Sequence, residues 1–161
     1  MSYILKLLKN NFLLTLLSFM KSKNWVNRQK NDQFVKKAKQ LGYINRAAFK
    51  LEEIEQKYKI IEHSREILEL GSSPGGWTQV ILNYNSKTNI TCFDLLDMKI
   101  NNQSIAFYRE DFLKYNFTNL KNKFDLVLSD VAPNTTGHQS TDHLRISQLI
   151  YEVIDLSLIH I

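Results

Sequence analysis

The residues of this sequence best suited to chemistry are glycines and carboxylates that follow short apolar runs. Four such runs end in a turn or an acid: residues 66–70 at Gly71, residues 89–94 in Asp94, residues 104–108 before Glu110 and Asp111, and residues 124–129 at Asp130. In an open parallel sheet, ligands bind beyond the carboxyl ends of the strands. If the runs are neighbouring parallel strands, their ends meet at one edge and form a ligand site.

The glycine turn after the first run limits which ligand fits. Residues 71–76 read GSSPGG and hold three of the five glycines. They match neither the G-x-G-x-x-G of dinucleotide-binding folds nor the G-x-x-x-x-G-K-[ST] of nucleoside triphosphate sites. Asp94 can accept both hydroxyls of a ribose, and bare glycine backbone admits a bulky ligand. A positively charged cofactor with adenine and ribose but no phosphate suits this pattern, and S-adenosylmethionine is such a molecule.

Each of these residues also has a purely structural interpretation. Asp94 could end its strand in a turn, and Asp111 could cap a helix. Trp77 could belong to the core, and the paired glycines could form a tight turn. Asp130 is harder to explain in this way, because the VAPN sequence that follows has a proline that stiffens the loop, which favours a functional acid.

Hydrophobic periodicity predicts the elements that would position these residues. Residues 24–40 and 45–60 look helical and are separated at Gly42, a typical helix stop. Strands are predicted at 66–70, 89–94, 104–108 and 124–129, with a helix from 77 to about 84 and a polar helix near 112–121. Apolar strands that alternate with helices are typical of an α/β fold, in which a parallel sheet carries helices on both faces.

Length and charge indicate one domain with two electrostatically different parts. The chain has 161 residues, a net charge of +5 and 43% hydrophobic residues, which excludes a disordered chain. Residues 1–59 carry 13 basic and 4 acidic side chains, whereas residues 60–161 carry 8 and 12. The basic part predicts a polyanionic partner, either a nucleic acid or an anionic membrane. A pair of solvated helices is the structural alternative.

The single cysteine and the four histidines give no recognised metal-binding spacing. Cys92 cannot form an intrachain disulfide and fits a buried position, so a reducing compartment is expected. His138 and His143 could share a metal, but paired loop histidines are usually solvated. We therefore predict no metal.

The first 20 residues contain two lysines and no acid, which predicts an amphipathic or apolar helix. Their longest uncharged run, residues 10–20, is too short to span a bilayer as a helix. The segment is either an N-terminal extension or a mitochondrial-type targeting segment, and a secretory signal fits less well. The predicted location is the cytoplasm, or the mitochondrial matrix if the segment targets the protein.

Four ordered motifs resemble those of a known family. They are NRAAFKL at 45–51, LGSSPGGW at 70–77, DLL at 94–96 and SDVAPN at 129–134. In this order and spacing they look like the FtsJ/RrmJ ribosomal RNA 2′-O-methyltransferases, over about residues 25–154. The resemblance implies a Rossmann-like, S-adenosylmethionine-dependent fold that methylates a ribose 2′-hydroxyl, typically of a uridine in the A-loop of large-subunit ribosomal RNA.

The resemblance also implies a role for each matching residue. Gly75 and Trp77 would contact the methionine end and the backbone side of the cofactor, Asp94 its ribose and Asp111 its adenine, while Asp130 would lie beside the methyl group. The family's catalytic set is Lys, Asp, Lys, Glu, of which Lys50 matches the first Lys and Asp130 the Asp. The second Lys, usually assigned as the base, and the Glu have no counterpart in this chain. Asn45 stands where the family usually has serine.

These absences predict a methyltransferase domain that is incomplete at its C-terminus and lacks later strands. Such a chain is expected to bind cofactor weakly and to methylate poorly. The strand at 124–129 would then be an exposed apolar edge. Residues 1–20 would be an extension, residues 21–60 a basic helical region that faces RNA, and residues 61–161 the cofactor-binding α/β part.

The expected partner is large-subunit ribosomal RNA or the assembled large subunit. It would meet the basic region, with its interleaved Trp25, Phe34, Tyr43 and Tyr58. No membrane partner is expected, and the resemblance implies a monomer. Two alternatives stay open: a 2′-O-methyltransferase of tRNA or capped RNA, and a catalytically inert RNA-binding or ribosome-assembly module that keeps the fold.

Overall fold

A computed structural model describes residues 12–15, 32–120 and 123–160 of the chain. Its strands are β1 (Phe12–Thr15), β2 (Glu66–Leu70), β3 (Asn89–Phe93), β4 (Ile105–Tyr108) and β5 (Leu126–Ser129). Its α-helices are α1 (Gln33–Gln40), α2 (Ala48–Tyr58), α3 (Gly76–Tyr84) and α4 (Gln139–His160), and two short 3-10 helices cover Phe112–Lys114 and Phe117–Leu120. The predicted alternation of strands and helices is confirmed.

The five strands form one sheet in the order β1-β5-β2-β3-β4, and every neighbouring pair is parallel. The four predicted strands are confirmed, with ends moved by at most two residues. In β2 and β5, Leu70 lies opposite Ser129. The glycine turn and Asp130 therefore leave the sheet next to each other.

Apolar side chains cover both faces of the sheet. On one face α2 and α3 pack through a core cluster that includes Leu51, Ile54, Ile67, Ile81 and Leu128. On the other face α4 and the second 3-10 helix pack through Leu70, Phe93, Phe117, Val127 and Val153. Because successive residues of a strand point to opposite faces, a strand buried on both sides has consecutive apolar residues, as β5 has at 126–128.

The prediction of a helix for residues 1–20 is wrong where the structure describes this segment. Phe12–Thr15 form β1 and pair with β5, with Phe12 opposite Leu126. Residues 12–20 (FLLTLLSFM) are apolar except at two positions, so periodicity does not separate a buried strand from a buried helix. Because β1 covers its flank, β5 is not the exposed edge strand that the sequence predicts.

The prediction of a single polar helix near residues 112–121 is also wrong, because the chain forms two 3-10 helices there. The Asp111 carboxylate accepts a hydrogen bond from the Leu113 N–H at 3.1 Å, and Asn116 Oδ1 accepts one from the Thr118 N–H at 3.0 Å. Tyr115, between the two helices, is extended. Two side-chain caps close together therefore split the segment.

The first described helices carry the basic part of the chain. The Asp32 carboxylate accepts the Phe34 N–H at 2.8 Å and starts α1, while residues 24–31 of the predicted helix lie outside the described residues. After α1, Gly42 has φ +75°, as the predicted helix stop requires. Asp32 also forms an ion pair with Arg46, which ties the start of α1 to the chain just before α2.

Candidate functional site

The turn between β2 and α3 packs against the start of the loop after β5. Gly71 has φ +79°, and a Cβ there would lie 2.8 Å from Val131 Cγ1. Both the conformation and the close approach require glycine. The Gly71 N–H donates to the Phe93 carbonyl at 2.9 Å, and the Asp130 N–H donates to the Leu70 carbonyl at 3.2 Å. These contacts bring the ends of β2, β3 and β5 together.

Asp94, the first residue after β3, holds the same turn from the other side. Its Oδ2 accepts the Ser73 N–H and its Oδ1 accepts the Leu96 N–H, each at 2.8 Å. Two backbone donors fix the carboxylate, while each oxygen keeps a lone pair for a further donor. Asp94 is therefore both the turn residue of the structural interpretation and an oriented acceptor.

A cavity of about 530 Å³ opens at these strand ends. Residues from the turn, from the ends of β3, β4 and β5, and from α4 line it, among them Gly71, Asp94, Leu96, Asp111, Asp130 and Leu149. Three of the acids predicted from the sequence thus share one cavity. Asp111 also caps its 3-10 helix, so its structural interpretation is confirmed as well.

Helix α2 places Lys50 beside Asp130, although 80 residues separate them in sequence. Lys50 Nζ lies 3.1 Å from Asp130 Oδ1, and the side chains are 35% and 20% exposed. Burial raises the pKa of Asp130, and the charge and hydrogen bond of Lys50 oppose that rise. A cation and a partly buried carboxylate therefore meet at the edge of the cavity, where they could hold a hydroxyl group and take its proton.

The family model described as FtsJ-like methyltransferase matches residues 43–161, which include this ion pair and every acid that lines the cavity. The chain belongs to the FtsJ-like methyltransferase family. The resemblance of the four motifs is confirmed, and so is the fold class that it implies.

Curated relatives of this FtsJ-like chain are named ribosomal RNA large subunit methyltransferase E. Those of Rickettsia bellii, Bradyrhizobium diazoefficiens and Anaplasma phagocytophilum are 38%, 40% and 40% identical to it over 147, 140 and 146 residues. The alignments cover 85%, 81% and 85% of this chain but 65%, 61% and 59% of the relatives. The chain therefore spans less than two thirds of the length of these relatives.

A solved structure also matches the FtsJ-like fold. A Plasmodium falciparum protein named as a ribosomal RNA methyltransferase superposes with a TM-score of 0.60 at 29% identity. The match covers 70% of this chain and 69% of that one. The Rossmann-like methyltransferase architecture rests on this match together with the parallel sheet.

Two of the predicted cofactor residues are not among the described residues that line the cavity. Gly75 has φ +110° and precedes α3. Trp77 is 3% exposed, packs in the core, and donates its Nε1–H to the Ala47 carbonyl at 2.9 Å. The core interpretation of Trp77 is confirmed, and the side chain connects α3 to the start of α2, which carries Lys50.

Gly76 lies where α3 meets the segment before α2. A Cβ at Gly76 would lie 1.9 Å from Asn45 Oδ1, the atom that accepts the Ala47 N–H at 3.1 Å. The second glycine of the pair is therefore required by space, whereas Gly75 is required by its conformation.

Sequence reasoning missed a buried acid beneath the turn. Glu69 is 1% exposed, and Thr78 Oγ1 donates to its Oε2 at 2.6 Å, with Cys92 Sγ 3.7 Å from the same oxygen. Burial raises the pKa of Glu69 to about 8, and it also raises the pKa of Cys92. The only signal in the sequence is the position of Glu69, two residues before the glycine turn.

Within residues 12–15, 32–120 and 123–160, no group of three or more histidine, cysteine, aspartate or glutamate side chains could hold a metal ion. His138 and His143 are both exposed. No helix in these described ranges is long and apolar enough to cross a membrane.

Proposed function

We propose that this chain is an S-adenosylmethionine-dependent RNA 2′-O-methyltransferase that acts on large-subunit ribosomal RNA, with a uridine of the A-loop as its target. The observation that carries this function is the ion pair of Lys50 and Asp130, 3.1 Å between Nζ and Oδ1, at the edge of an acid-lined cavity. Family membership and the names of the relatives support the same function.

The residues around the cavity fit S-adenosylmethionine. Asp94 offers two oriented acceptors for ribose hydroxyls, and Asp111 lines the same cavity for the adenine end. Leu95 and Leu96, which also line the cavity, are 64% and 66% exposed and offer an apolar contact to a flat base. When bound, this cofactor supplies a methyl group on a positively charged sulfur, and cavity carboxylates favour that charge.

The ion pair can activate a ribose hydroxyl. A charged Lys50 donates hydrogen bonds and has no lone pair with which to accept a proton. Asp130 can accept the proton, and the burial that raises its pKa makes it a better base than an exposed aspartate. In this mechanism Asp130 takes the hydroxyl proton, while Lys50 stabilises the negative charge that develops on the 2′-oxygen and fixes its position.

Helix α1 supplies a basic surface for RNA. Lys36, Lys37 and Lys39 are exposed there, and Phe34 is 58% exposed among them. Lys37 Nζ lies 5.2 Å from the centre of the Phe49 ring, which joins this surface to the helix that carries the catalytic lysine. Lysines bind phosphates and exposed aromatic rings stack on bases, so we propose that residues 21–60 face the RNA. Trp25 lies outside the described residues.

The substrate is tested with tritiated S-adenosylmethionine. The protein is incubated in parallel with undermethylated large subunits, free ribosomal RNA, tRNA and capped RNA. We expect label in the large subunit or in its RNA. Label in tRNA or capped RNA instead would assign the enzyme to that substrate. Salt-sensitive RNA binding without label in any sample would favour the catalytically inert module.

The cofactor contact of Asp94 is tested by calorimetry with S-adenosylmethionine. Asp94→Asn replaces one of the two acceptor oxygens by a donor, so we expect the Kd to rise roughly 10-fold or more. The matched control is Asp97→Asn, because the Asp97 side chain is 75% exposed and forms its ion pair with Arg109 at the surface. Equal Kd values for the two variants would contradict the role of Asp94.

We also propose that residues 1–20 stay on the protein, because they contain β1, which pairs with β5. Removal of a mitochondrial-type targeting segment would remove that strand, so the proposed location is the cytoplasm. The mass of the protein isolated from its cells tests this: a chain that starts at Met1 or Ser2 supports retention, and a start beyond residue 15 contradicts it. The proposal of a monomer comes from the family resemblance.

A further inference from the structure

The loop that connects β5 to α4 is held at its far end by one buried carboxylate. Asp142, in the first turn of α4, is 5% exposed. Its Oδ1 accepts both the N–H and the hydroxyl of Thr136, each at 2.7 Å, and its Oδ2 accepts the Gly137 N–H at 3.3 Å. The residues on either side of Asp142 are exposed, so this contact and not core packing fixes the end of the loop.

The geometry of the anchor depends on both the acid and the glycine. Hydrogen bonds from Thr136 and the charge of Arg145 lower the pKa of Asp142, so it stays an acceptor at neutral pH. An acid in the first turn of a helix also interacts favourably with the helix dipole. Gly137 has φ +86°, and a Cβ there would meet nothing within 4 Å, so its conformation and not space requires glycine.

The other end of this loop is part of the candidate site. The loop follows Asp130, and Val131, Ala132 and Asn134 line the cavity. Gly71 approaches Val131 closely, which fixes the near end of the loop. Leu149, two turns beyond Asp142 on α4, lines the same cavity. One wall of the cavity therefore lies between two fixed points, Gly71 and Asp142.

We propose that Asp142 is a positioning residue, which fixes residues 131–138 as the cavity wall beside Asp130. Its side chain does not line the cavity and acts through the loop. The catalytic part of this inference rests on the proposed function, whereas the anchoring of the loop can be measured without it.

The anchoring is tested by amide exchange and NMR on Asp142→Ala and Asp142→Asn. The matched control is Asp125→Ala, because Asp125 Oδ2 likewise accepts two backbone N–H groups, at 2.8 and 3.0 Å, but at the opposite ends of β2 and β5. We expect Asp142→Ala to speed amide exchange at Thr136 and Gly137 by about 10-fold or more, whereas the control leaves it unchanged. Asp142→Asn, which keeps one acceptor oxygen, should give an intermediate rate.

The effect on the site is measured in two ways: by the chemical shifts of the loop, and by comparing the change in kcat with the change in the Kd for S-adenosylmethionine. Asp142→Ala should move the amide resonances of Val131, Ala132 and Asn134. It should lower kcat for methyl transfer roughly 10- to 100-fold, while the Kd for S-adenosylmethionine stays within a factor of about three, because the proposed cofactor contacts lie elsewhere. A merely structural role would lower kcat no further than the Asp125→Ala control does.

Three results would overturn the role of Asp142: unchanged exchange at Thr136 and Gly137, shift changes that do not reach Ala132, or a kcat equal to that of the control. If the wild type binds no S-adenosylmethionine and transfers no methyl group, the proposed function fails. The exchange rates and chemical shifts then still decide whether Asp142 positions the wall.

Discussion

Two opposing influences act on the protonation of Asp130, and one of them can be removed. Burial raises the pKa of Asp130, while Lys50 lowers it through its charge and hydrogen bond. Lys50→Met keeps most of the side-chain volume and removes the charge, so we predict that the pKa of Asp130 rises further. A carbon-13 NMR titration of the carboxyl group measures this. Methyl transfer should nevertheless fall roughly 100-fold or more, because the variant no longer stabilises the negative charge that develops on the 2′-oxygen.

The control for this prediction is Lys36→Met, which removes an exposed lysine of α1 and should leave the titration of Asp130 unchanged. If Lys50→Met also leaves the titration unchanged, Lys50 does not act on Asp130 in solution.

From the raised pKa of Glu69 we predict a specific dependence of the free energy of unfolding on pH. Its pKa is about 8 in the folded protein against an ordinary 4.5, mainly because of burial, with the charge of Asp130 acting in the same direction. Between these values the folded protein holds a proton that the unfolded chain has lost, so this group lowers the free energy of unfolding as pH rises, by on the order of 1 kcal/mol per pH unit. Glu69→Gln cannot ionise and should remove this slope.

Urea denaturation at pH 5, 6, 7 and 8 measures the difference between Glu69→Gln and the wild type. We expect the variant to gain relative stability from pH 5 to pH 8, and Glu53→Gln, at an exposed position, to show no such trend. A difference that does not change with pH would mean that Glu69 is ionised in the folded protein or has access to water.

At the scale of elements, the contact between α3 and the segment before α2 tests why the turn has two adjacent glycines. Gly76→Ala would place a Cβ 1.9 Å from Asn45 Oδ1, so we predict a loss of about 1–3 kcal/mol in the free energy of unfolding. Alanine otherwise favours a helix over glycine, so a loss is diagnostic of the clash. Urea denaturation measures it.

The double variant Gly76→Ala with Asn45→Ser tests whether the clash with the Asn45 side chain causes this loss of stability. Serine is shorter than asparagine and keeps an oxygen for the Ala47 N–H, so most of the lost stability should return. If the double variant is no more stable than Gly76→Ala, the side chain of Asn45 is not what requires glycine.

A second prediction at the scale of elements concerns strand β1. A chain that lacks residues 1–20 loses β1 and exposes the flank of β5, an apolar strand with unpaired backbone groups. Such an edge pairs with other chains, so we predict a larger aggregated fraction by size exclusion with light scattering. A chain that lacks only residues 1–8 keeps β1 and should behave as the wild type. Equal behaviour of both deletions would contradict the pairing of β1 with β5.

At the scale of the whole molecule, the sequence predicts the elements whose signals are local. Strands of four or five mostly apolar residues, a helix that starts at the paired glycines, and a stop at Gly42 all depend on neighbouring residues, and the structure contains them. β1 was missed because a short apolar run fits both helix and strand, and the choice depends on the free flank of β5. The two 3-10 helices were missed because Asp111 and Asn116 compete as caps.

The residues of the candidate site also fall into two groups, those that the sequence predicts and those that it does not. Asp94, Asp111 and Asp130 could be predicted, because strand ends of a parallel sheet converge on one edge. The pairing of Lys50 with Asp130 could be predicted only through the family resemblance, because packing of α2 against the sheet brings together residues 80 positions apart. Glu69 and Asp142 were missed because burial decides their roles, and burial of a single acid leaves no pattern in the sequence.

The most direct measurement locates the transferred methyl group. Undermethylated large subunits are incubated with the protein and S-adenosylmethionine that carries a deuterated methyl group, and the RNA is digested to nucleosides for mass spectrometry. We predict deuterated 2′-O-methyluridine with the wild type and its loss, by about 100-fold or more, with Asp130→Ala. A label on a base, no label at all, or the same amount of 2′-O-methyluridine with Asp130→Ala would contradict the assignment of Lys50 and Asp130 as the catalytic pair of an RNA 2′-O-methyltransferase.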